Sequence, residues 1–194
     1  MSKLVIIDYG AGNIKSLQFA LARLEINAEC TKNPGLIKKA EKVIFPGVGH
    51  AESAMKKLKE SGLDILLPKL KQPVLGICLG MQLMCNYSEE GSTQGLGIFN
   101  VEVERFQISN KVPHMGWNTI TKLQTPLFQN IPEQSFMYFV HSYFVPNNSH
   151  SIATTAYEIP YCSALAKDNF YGVQFHPEKS GPVGQKILEN FLTL

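Results

Sequence analysis

The chain has 194 residues, a formal net charge of +2, 44% hydrophobic residues and 18% charged ones. That length suits one compact domain spanning residues 1–194, with a substantial core and no second domain. Scattered lysines form no basic block, which gives nucleic acid no electrostatic foothold, and no apolar run is long enough for a membrane helix.

The opening run MSKLVII stops at Asp8, too short for a signal peptide, so a soluble, cytoplasmic protein is expected. Cys30, Cys78, Cys85 and Cys162 form no CxxC pair. That spacing favours reduced thiols over a disulfide framework, and no metal or cofactor is implied.

In chain order, KLVIIDY reads as a first strand. Ile14, Leu17, Leu21 and Leu24 then recur at helical spacing, and a short strand follows around 28–31. KVIFP predicts another strand, AESAMKKLKES a helix, and PVLGI a strand that runs into a helix after Cys78. Cys85 is expected further along that same helix, as a core residue. The second half changes character: IFNVEVERF, NTITKL, FMYFVHSYFV, SIATTAYE, CSALAKD and FYGVQF read as successive strands. SGPVGQKILENFL closes the chain as a helix, with Pro182 near its start. Strands alternating with helices, then strands alone, predict an α/β fold: a doubly wound, mostly parallel central sheet with an antiparallel extension.

Chemistry concentrates at three places. Gly76 and Gly80 flank Cys78 in the G-x-[nucleophile]-x-G spacing, where missing Cβ atoms let a strained strand-to-helix turn pack closely. A thiol there sits above the carboxyl ends of the strands, where a helix N-terminus favours a thiolate and the Leu79 N–H can receive an oxyanion. The plainer reading is a structural cysteine in a tight turn. Downstream, His176 and Glu178 follow the strand FYGVQF, placed for a carboxylate to orient an imidazole. A histidine at a strand end is also an ordinary surface residue. FPGVGH (45–50) leaves its strand with glycines at 47 and 49, either a simple turn or a source of oxyanion N–H groups from Gly47 and Val48. Glycines on both sides of Val48 would also let one peptide turn toward or away from an oxyanion. His50, His114 and His150 are expected to fill surface positions.

Taken together these motifs resemble the class I, triad-type glutamine amidotransferases, whose G-[IV]-C-x-G-x-Q elbow matches Gly76, Ile77, Cys78, Gly80 and Gln82 and whose HPE matches 176–178. DYGAGNIKS, FPGVG, GICLGMQLM, KVPHMGWN, YFVHSY and GVQFHPEKSG, in that order, are similar to the glutaminase-subunit family of imidazole glycerol phosphate synthase. HAES after the PGVG loop departs from that pattern.

The resemblance implies a flavodoxin-like fold and a Cys78–His176–Glu178 triad that hydrolyses L-glutamine through a γ-glutamyl thioester. It implies substrate contacts at Gln82, His141, Ser142 and Tyr143. It further implies a separate (β/α)8-barrel cyclase subunit that receives the ammonia in histidine biosynthesis, forming imidazole glycerol phosphate and aminoimidazole carboxamide ribotide. Asn13, Gly116, Trp117, Asn118, Tyr138 and Lys179 are candidates for the docking face, although Trp117 could instead be core. A glutaminase for another synthase, a silent regulatory module and a peptide hydrolase are the alternatives. The intact triad opposes the silent module, and DYGAGNIKS and KVPHMGWN oppose the other synthase.

Overall fold

The computed structural model describes residues 3–194. Its first half alternates as expected: β1 (Leu4–Ile7), α1 (Ile14–Ala22), β2 (Glu29–Thr31), α2 (Pro34–Lys39), β3 (Lys42–Gly47), α3 (Ala51–Glu60), α4 (Leu63–Leu66), β4 (Val74–Cys78) and α5 (Leu79–Leu83). The remainder is β5 (Cys85–Ser88), β6 (Thr93–Gln94), β7 (Phe99–Arg105), β8 (His114–Ile120), β9 (Ser135–His141), β10 (Tyr143–Phe144), β11 (Ser151–Tyr157), β12 (Ile159–Lys167), β13 (Phe170–Val173) and α6 (Gly181–Thr193).

A seven-stranded sheet in the order β11-β12-β13-β4-β3-β1-β2 forms the centre. From β2 to β13 its strands are parallel, and β12 and β11 extend it antiparallel. The doubly wound α/β expectation with an antiparallel extension therefore holds. Alternation within each strand supplies both faces. Val5, Ile7, Val43, Phe45 and Val74 join Met55 and Leu58 of α3 in one core. Leu4, Ile6, Ile44, Leu75 and Ile77 join Leu17 and Leu21 of α1 and Ile187 and Phe191 of α6 in the other. Each such side chain, fully buried, is worth about 1.5–3 kcal/mol.

The helices keep their local signals. Asn33 caps α2 by accepting from the N–H groups of Gly35 and Leu36, with Pro34 in the first turn. The α3 N-terminus is capped from a distance, the Ala51 N–H donating to Glu90 Oε2 at 2.8 Å, where a carboxylate also matches the helix dipole.

Two smaller sheets stand apart from the central one: β10-β7-β5-β6, and the β8–β9 ribbon. They account for three corrections. Cys85 does not continue the helix after Cys78. α5 ends at Leu83 because the Leu96 and Ile98 N–H groups donate to the Leu83 and Met84 carbonyls, drawing the chain into β5, where Cys85 is buried. FMYFVHSYFV is not one strand: β9 stops at His141, and beyond Ser142 the chain leaves β8 to pair with β7 as β10. The strand expected at NTITKL begins earlier, at His114, since antiparallel pairing with β9 carries through Gly116 and overrides its weak strand propensity.

Candidate active site

β4 ends on Cys78, whose φ of 53° and ψ of −111° lie outside the usual regions for a non-glycine residue. Such a turn survives only where its surroundings determine it. Here they do so by close approach. A Cβ on Gly80 would collide with the Phe45 carbonyl of β3, and one on Gly76 would lie 2.9 Å from the Met81 backbone nitrogen. A Cβ on Gly47 would meet the Gly80 nitrogen at 2.7 Å and the Tyr9 hydroxyl at 2.9 Å. The glycines flanking Cys78 are thus required by close packing, Gly80 against β3 and Gly76 against the first turn of α5.

Beside the elbow lies a cleft of about 300 Å³ lined by Cys78, Val48, Gly49, Leu79, Gln82, His141, Ser142, Tyr143 and His176, among others. Cys78 and His176 both line this cleft, and Glu178 pairs with His176 from outside it. His176 Nδ1 and Glu178 Oε1 are 2.8 Å apart, with both side chains nearly inaccessible. Burial is the strongest single influence on the imidazole and pushes its pKa down. Interactions with Cys78 and with the Glu178 carboxylate together outweigh it and hold the pKa up at about 10. With Nδ1 held by Glu178, Nε2 is the ring nitrogen left for Cys78, and it and Glu178 Oε2 are buried without a hydrogen-bond partner. The Cys78 sulfur itself lies 3.9 Å from the Val140 carbonyl and 3.7 Å from Gln174 Nε2.

The oxyanion candidates fall in two settings. Leu79 opens α5 and lines the cleft with Val48, whereas Gly47 lies behind it, in a crevice shared with Asn13, His176 and Glu178. Gly49, at φ 101°, has nothing within 4 Å of the position a Cβ would take.

The proposed substrate contacts divide as well. Gln82 is buried and gives both amide protons away, to the Tyr143 carbonyl at 2.8 Å and to Gln174 Oε1 at 2.9 Å. His141 lines the cleft, but its ring is fully engaged, Nδ1 with the Tyr143 carbonyl at 2.8 Å and Nε2 with the Tyr161 hydroxyl at 3.2 Å. Its imidazole is a structural group, and only its backbone is left to touch a ligand. Ser142 and Tyr143 line the cleft half-exposed.

The docking candidates separate by strand alternation. Trp117 projects from β8, 56% exposed, between the exposed Met115 and, across the ribbon, Phe136. It meets Tyr138 edge-on at 6.1 Å, and Lys179 Nζ lies 5.7 Å from the Tyr138 ring centroid. Trp117 is therefore surface, not core. Gly116 and Asn118 face the other way, and Asn118 Nδ2 donates inward to the Ala156 carbonyl at 2.9 Å. His114, expected at the surface, is buried: its ring stacks on Tyr157 at 4.0 Å and bonds the Tyr161 hydroxyl at 3.1 Å. Its place on the inward face of a strand that begins four residues earlier than expected is the reason. His50 is exposed and His150 half-buried.

Sequence reasoning missed Gln174 and Tyr161. Gln174 is wholly buried beside Cys78, and the one signal for it is a lone amide inside the apolar run FYGVQF. Tyr161 left no signal, since its partners are remote along the chain.

A cysteine on a strained elbow, a carboxylate-held histidine and a cleft of single-amino-acid size define a class of amide-processing protein. Consistent with this, a family model described as "Glutamine amidotransferase class-I" matches residues 5–194, and the chain belongs to that family. Solved structures share the fold: a glutamine amidotransferase aligns with TM-score 0.77 at 17% identity, covering 97% of each chain. Another, from Thermotoga maritima, aligns at 0.62 and 16% identity, covering 97% of this chain and 81% of that one. Within the class the chain groups with the proteins named "Imidazole glycerol phosphate synthase subunit HisH". The Bacteroides fragilis protein of that name is 54% identical over 195 residues, covering 99% of this chain and all of that one. A Methanococcus maripaludis protein, HisH 2, is 49% identical over 198 residues, covering 97% and 98%.

Proposed function

We propose that this chain is the glutaminase subunit of imidazole glycerol phosphate synthase, a single domain that hydrolyses L-glutamine and hands the ammonia to a separate cyclase subunit in histidine biosynthesis. The observation that carries the reading is the buried His176–Glu178 pair at 2.8 Å, opening on the cleft that holds Cys78.

The Cys78 thiolate attacks the side-chain carboxamide carbon, forming a C–S bond. The N–H groups of Leu79 and of the Gly47–Val48 segment take up the negative charge that develops on oxygen. Collapse of this intermediate breaks the C–N bond, and His176 gives its proton to the departing nitrogen, releasing ammonia. His176, now neutral, takes a proton from water as that water attacks the thioester, releasing glutamate and the thiolate. Glu178 holds the imidazole in orientation throughout and stabilises its charged form.

Gln82, through its carbonyl oxygen, together with Ser142, Tyr143 and the backbone of His141, grips the amino and carboxylate groups of the substrate. A cleft of about 300 Å³ suits a free amino acid better than an extended peptide. Ammonia released into neutral water would be protonated and lost as a nucleophile, so it passes directly to a partner with a (β/α)8 barrel. Trp117, Tyr138 and Lys179 form the exposed part of the docking face, with Asn13 beside the site and Gly116 and Asn118 shaping the ribbon from within. No helix among the described residues is long and apolar enough to cross a membrane. The heterodimer with the cyclase is placed in the cytoplasm by the biosynthetic role proposed for it.

The test is co-purification with a cyclase chain and measurement of glutamate release with and without the nucleotide ligand of the cyclase. Cys78→Ser is expected to abolish glutamine-dependent synthesis, by 10³-fold or more, while ammonia-dependent synthesis by the partner persists. Loss of both would show a structural role for the cysteine and overturn the reading.

A further inference from the structure

We infer that Gln174 is a positioning residue for the Cys78 sulfur, held in orientation by Gln82, which shares the Tyr143 carbonyl with a largely buried run of hydrogen bonds that begins at Asn118 on β8. The inference rests on the reading of Cys78 as the nucleophile. Gln174 sits just past the end of β13, with no solvent exposure. An amide there must find partners, since burying one unpaired is strongly unfavourable. Its Oε1 accepts from Gln82 Nε2 at 2.9 Å, which turns its Nε2 toward Cys78 Sγ at 3.7 Å.

The direction of the rest of the chain follows from the groups that can only accept. A carbonyl accepts, so His141 Nδ1 carries the proton it gives to the Tyr143 oxygen at 2.8 Å. Both buried rings are held neutral, because burial pushes His141 down to about 3 and His114 to about 4. His141 Nε2 therefore accepts from the Tyr161 hydroxyl at 3.2 Å, and the Tyr161 oxygen accepts from His114 Nδ1 at 3.1 Å. His114 Nε2 then accepts from Asn118 Nδ2 at 3.3 Å. On the near side, the Tyr143 carbonyl that ends this run also accepts from Gln82 Nε2 at 2.8 Å. Gln82 and the His–Tyr–His cluster thus meet on one oxygen. Gln174 is thus tied to the far end of this run through Gln82 and the Tyr143 carbonyl.

Besides His176, two groups approach that sulfur. The Val140 carbonyl, 3.9 Å away, can only accept, and so suits the protonated thiol. The Gln174 N–H can only donate, and so suits the anion, to which hydrogen bonds are about twice as strong as to a neutral group. Gln174 favours the form of Cys78 that reacts, and the chain behind it fixes where that form points. The ribbon that carries Asn118 on its inner face carries Trp117 on its outer face, so the two ends of the chain are the sulfur and the strand proposed to meet the cyclase.

The test is the rate at which iodoacetamide alkylates Cys78 at neutral pH, read by peptide mass spectrometry so that the half-buried Cys30 does not interfere. It is paired with kcat and KM for glutamine in the complex with the cyclase. Gln174→Met, which removes the donor to the sulfur and also the acceptor for Gln82, is expected to slow alkylation about tenfold and to lower kcat in parallel. Gln174→Glu retains the acceptor for Gln82 but turns an oxygen toward the sulfur. It should slow alkylation further, and it decides the matter if the Met variant does not fold. Tyr161→Phe, at a residue that does not itself line the cleft, should slow alkylation about threefold with KM within about twofold of the parent.

Alkylation within twofold of the parent in folded Gln174 variants or in folded Tyr161→Phe would overturn the proposal, as would a rise in KM at constant kcat. Because alkylation needs no glutamine, its outcome stands apart from that of Cys78→Ser. Should Cys78→Ser still release glutamate, the nucleophile reading fails while the contact between Gln174 and the sulfur is still measured.

Discussion

The cleft has two walls, and they hold its chemistry by different means. On the elbow side, β3, β4 and α5 approach so closely that glycine alone fits at Gly47, Gly76 and Gly80, and backbone contact sets the position of Cys78. On the opposite side, β9 and the segment after β13 bring His141 and His176 to the cleft, backed by Glu178, Gln174 and, from β12, Tyr161, and these polar side chains are fixed by hydrogen bonds. Steric exclusion on the first wall is all-or-none. Hydrogen-bonded placement on the second is graded, because each bond contributes about 1 kcal/mol and can be weakened singly.

The sharpest way to break this contrast is Gly80→Ala. The Phe45 carbonyl belongs to a central strand and cannot step aside, so the variant is expected to lose about 3 kcal/mol or more, or to fail to fold, as read by urea unfolding. A mild effect would show that the elbow wall yields after all.

Glu178→Gln on the polar wall should leave the fold intact yet lower glutamine turnover about 10²-fold or more. The pH profile adds a sign. His176 is held protonated up to about 10, so parent activity should fall as the pH rises through that value and the imidazolium loses the proton meant for ammonia. Without the carboxylate that limb moves to lower pH, which a rate profile in the complex would register.

Smaller is the effect expected from acid. His114 and His141 have folded values of about 4 and about 3, below the ordinary 6.5, so the unfolded chain binds more protons across that interval. Their contribution to stability is complete above about pH 6.5 and declines as the pH falls toward 4. The urea midpoint should drop between pH 7.5 and 5, and drop less in His114→Gln. Least affected in isolation is Trp117→Ala. At 56% exposure its removal should change stability by under about 0.5 kcal/mol. Affinity for the cyclase should nevertheless weaken about tenfold, by titration of the two chains.

The contrast also governs what the sequence reveals. The elbow wall was legible because steric demands leave a local trace: glycines at fixed offsets from Cys78, after an apolar strand. The central sheet was legible for a similar reason, since alternating strand and helix patterns are local. The His176–Glu178 pair sits two positions apart and could be read directly. The rest of the polar wall was not, because its members are joined only by the fold. His114 and Tyr161 are 47 positions apart, and Gln82 and Gln174 are 92 apart. Cys85 was misplaced for a related reason, as the Leu96 and Ile98 amides that end α5 are supplied by a later segment. Asn118 and Trp117, adjacent in the chain, took opposite faces once the register of β8 placed them.

The loop from Gly47 to Gly49 is clamped at its first residue and bordered by empty space at its last. A rearrangement there would be confined to the peptides around Val48, with the adjoining strand held by the close contacts at Gly47. An N–H could be offered to the cleft or withdrawn from it by rotating one amide plane, a local change of a few kcal/mol. The sulfur and imidazole would stay loaded throughout. Readiness and turnover would then be separate properties, so that an idle molecule wastes no glutamine yet needs no reassembly before it fires.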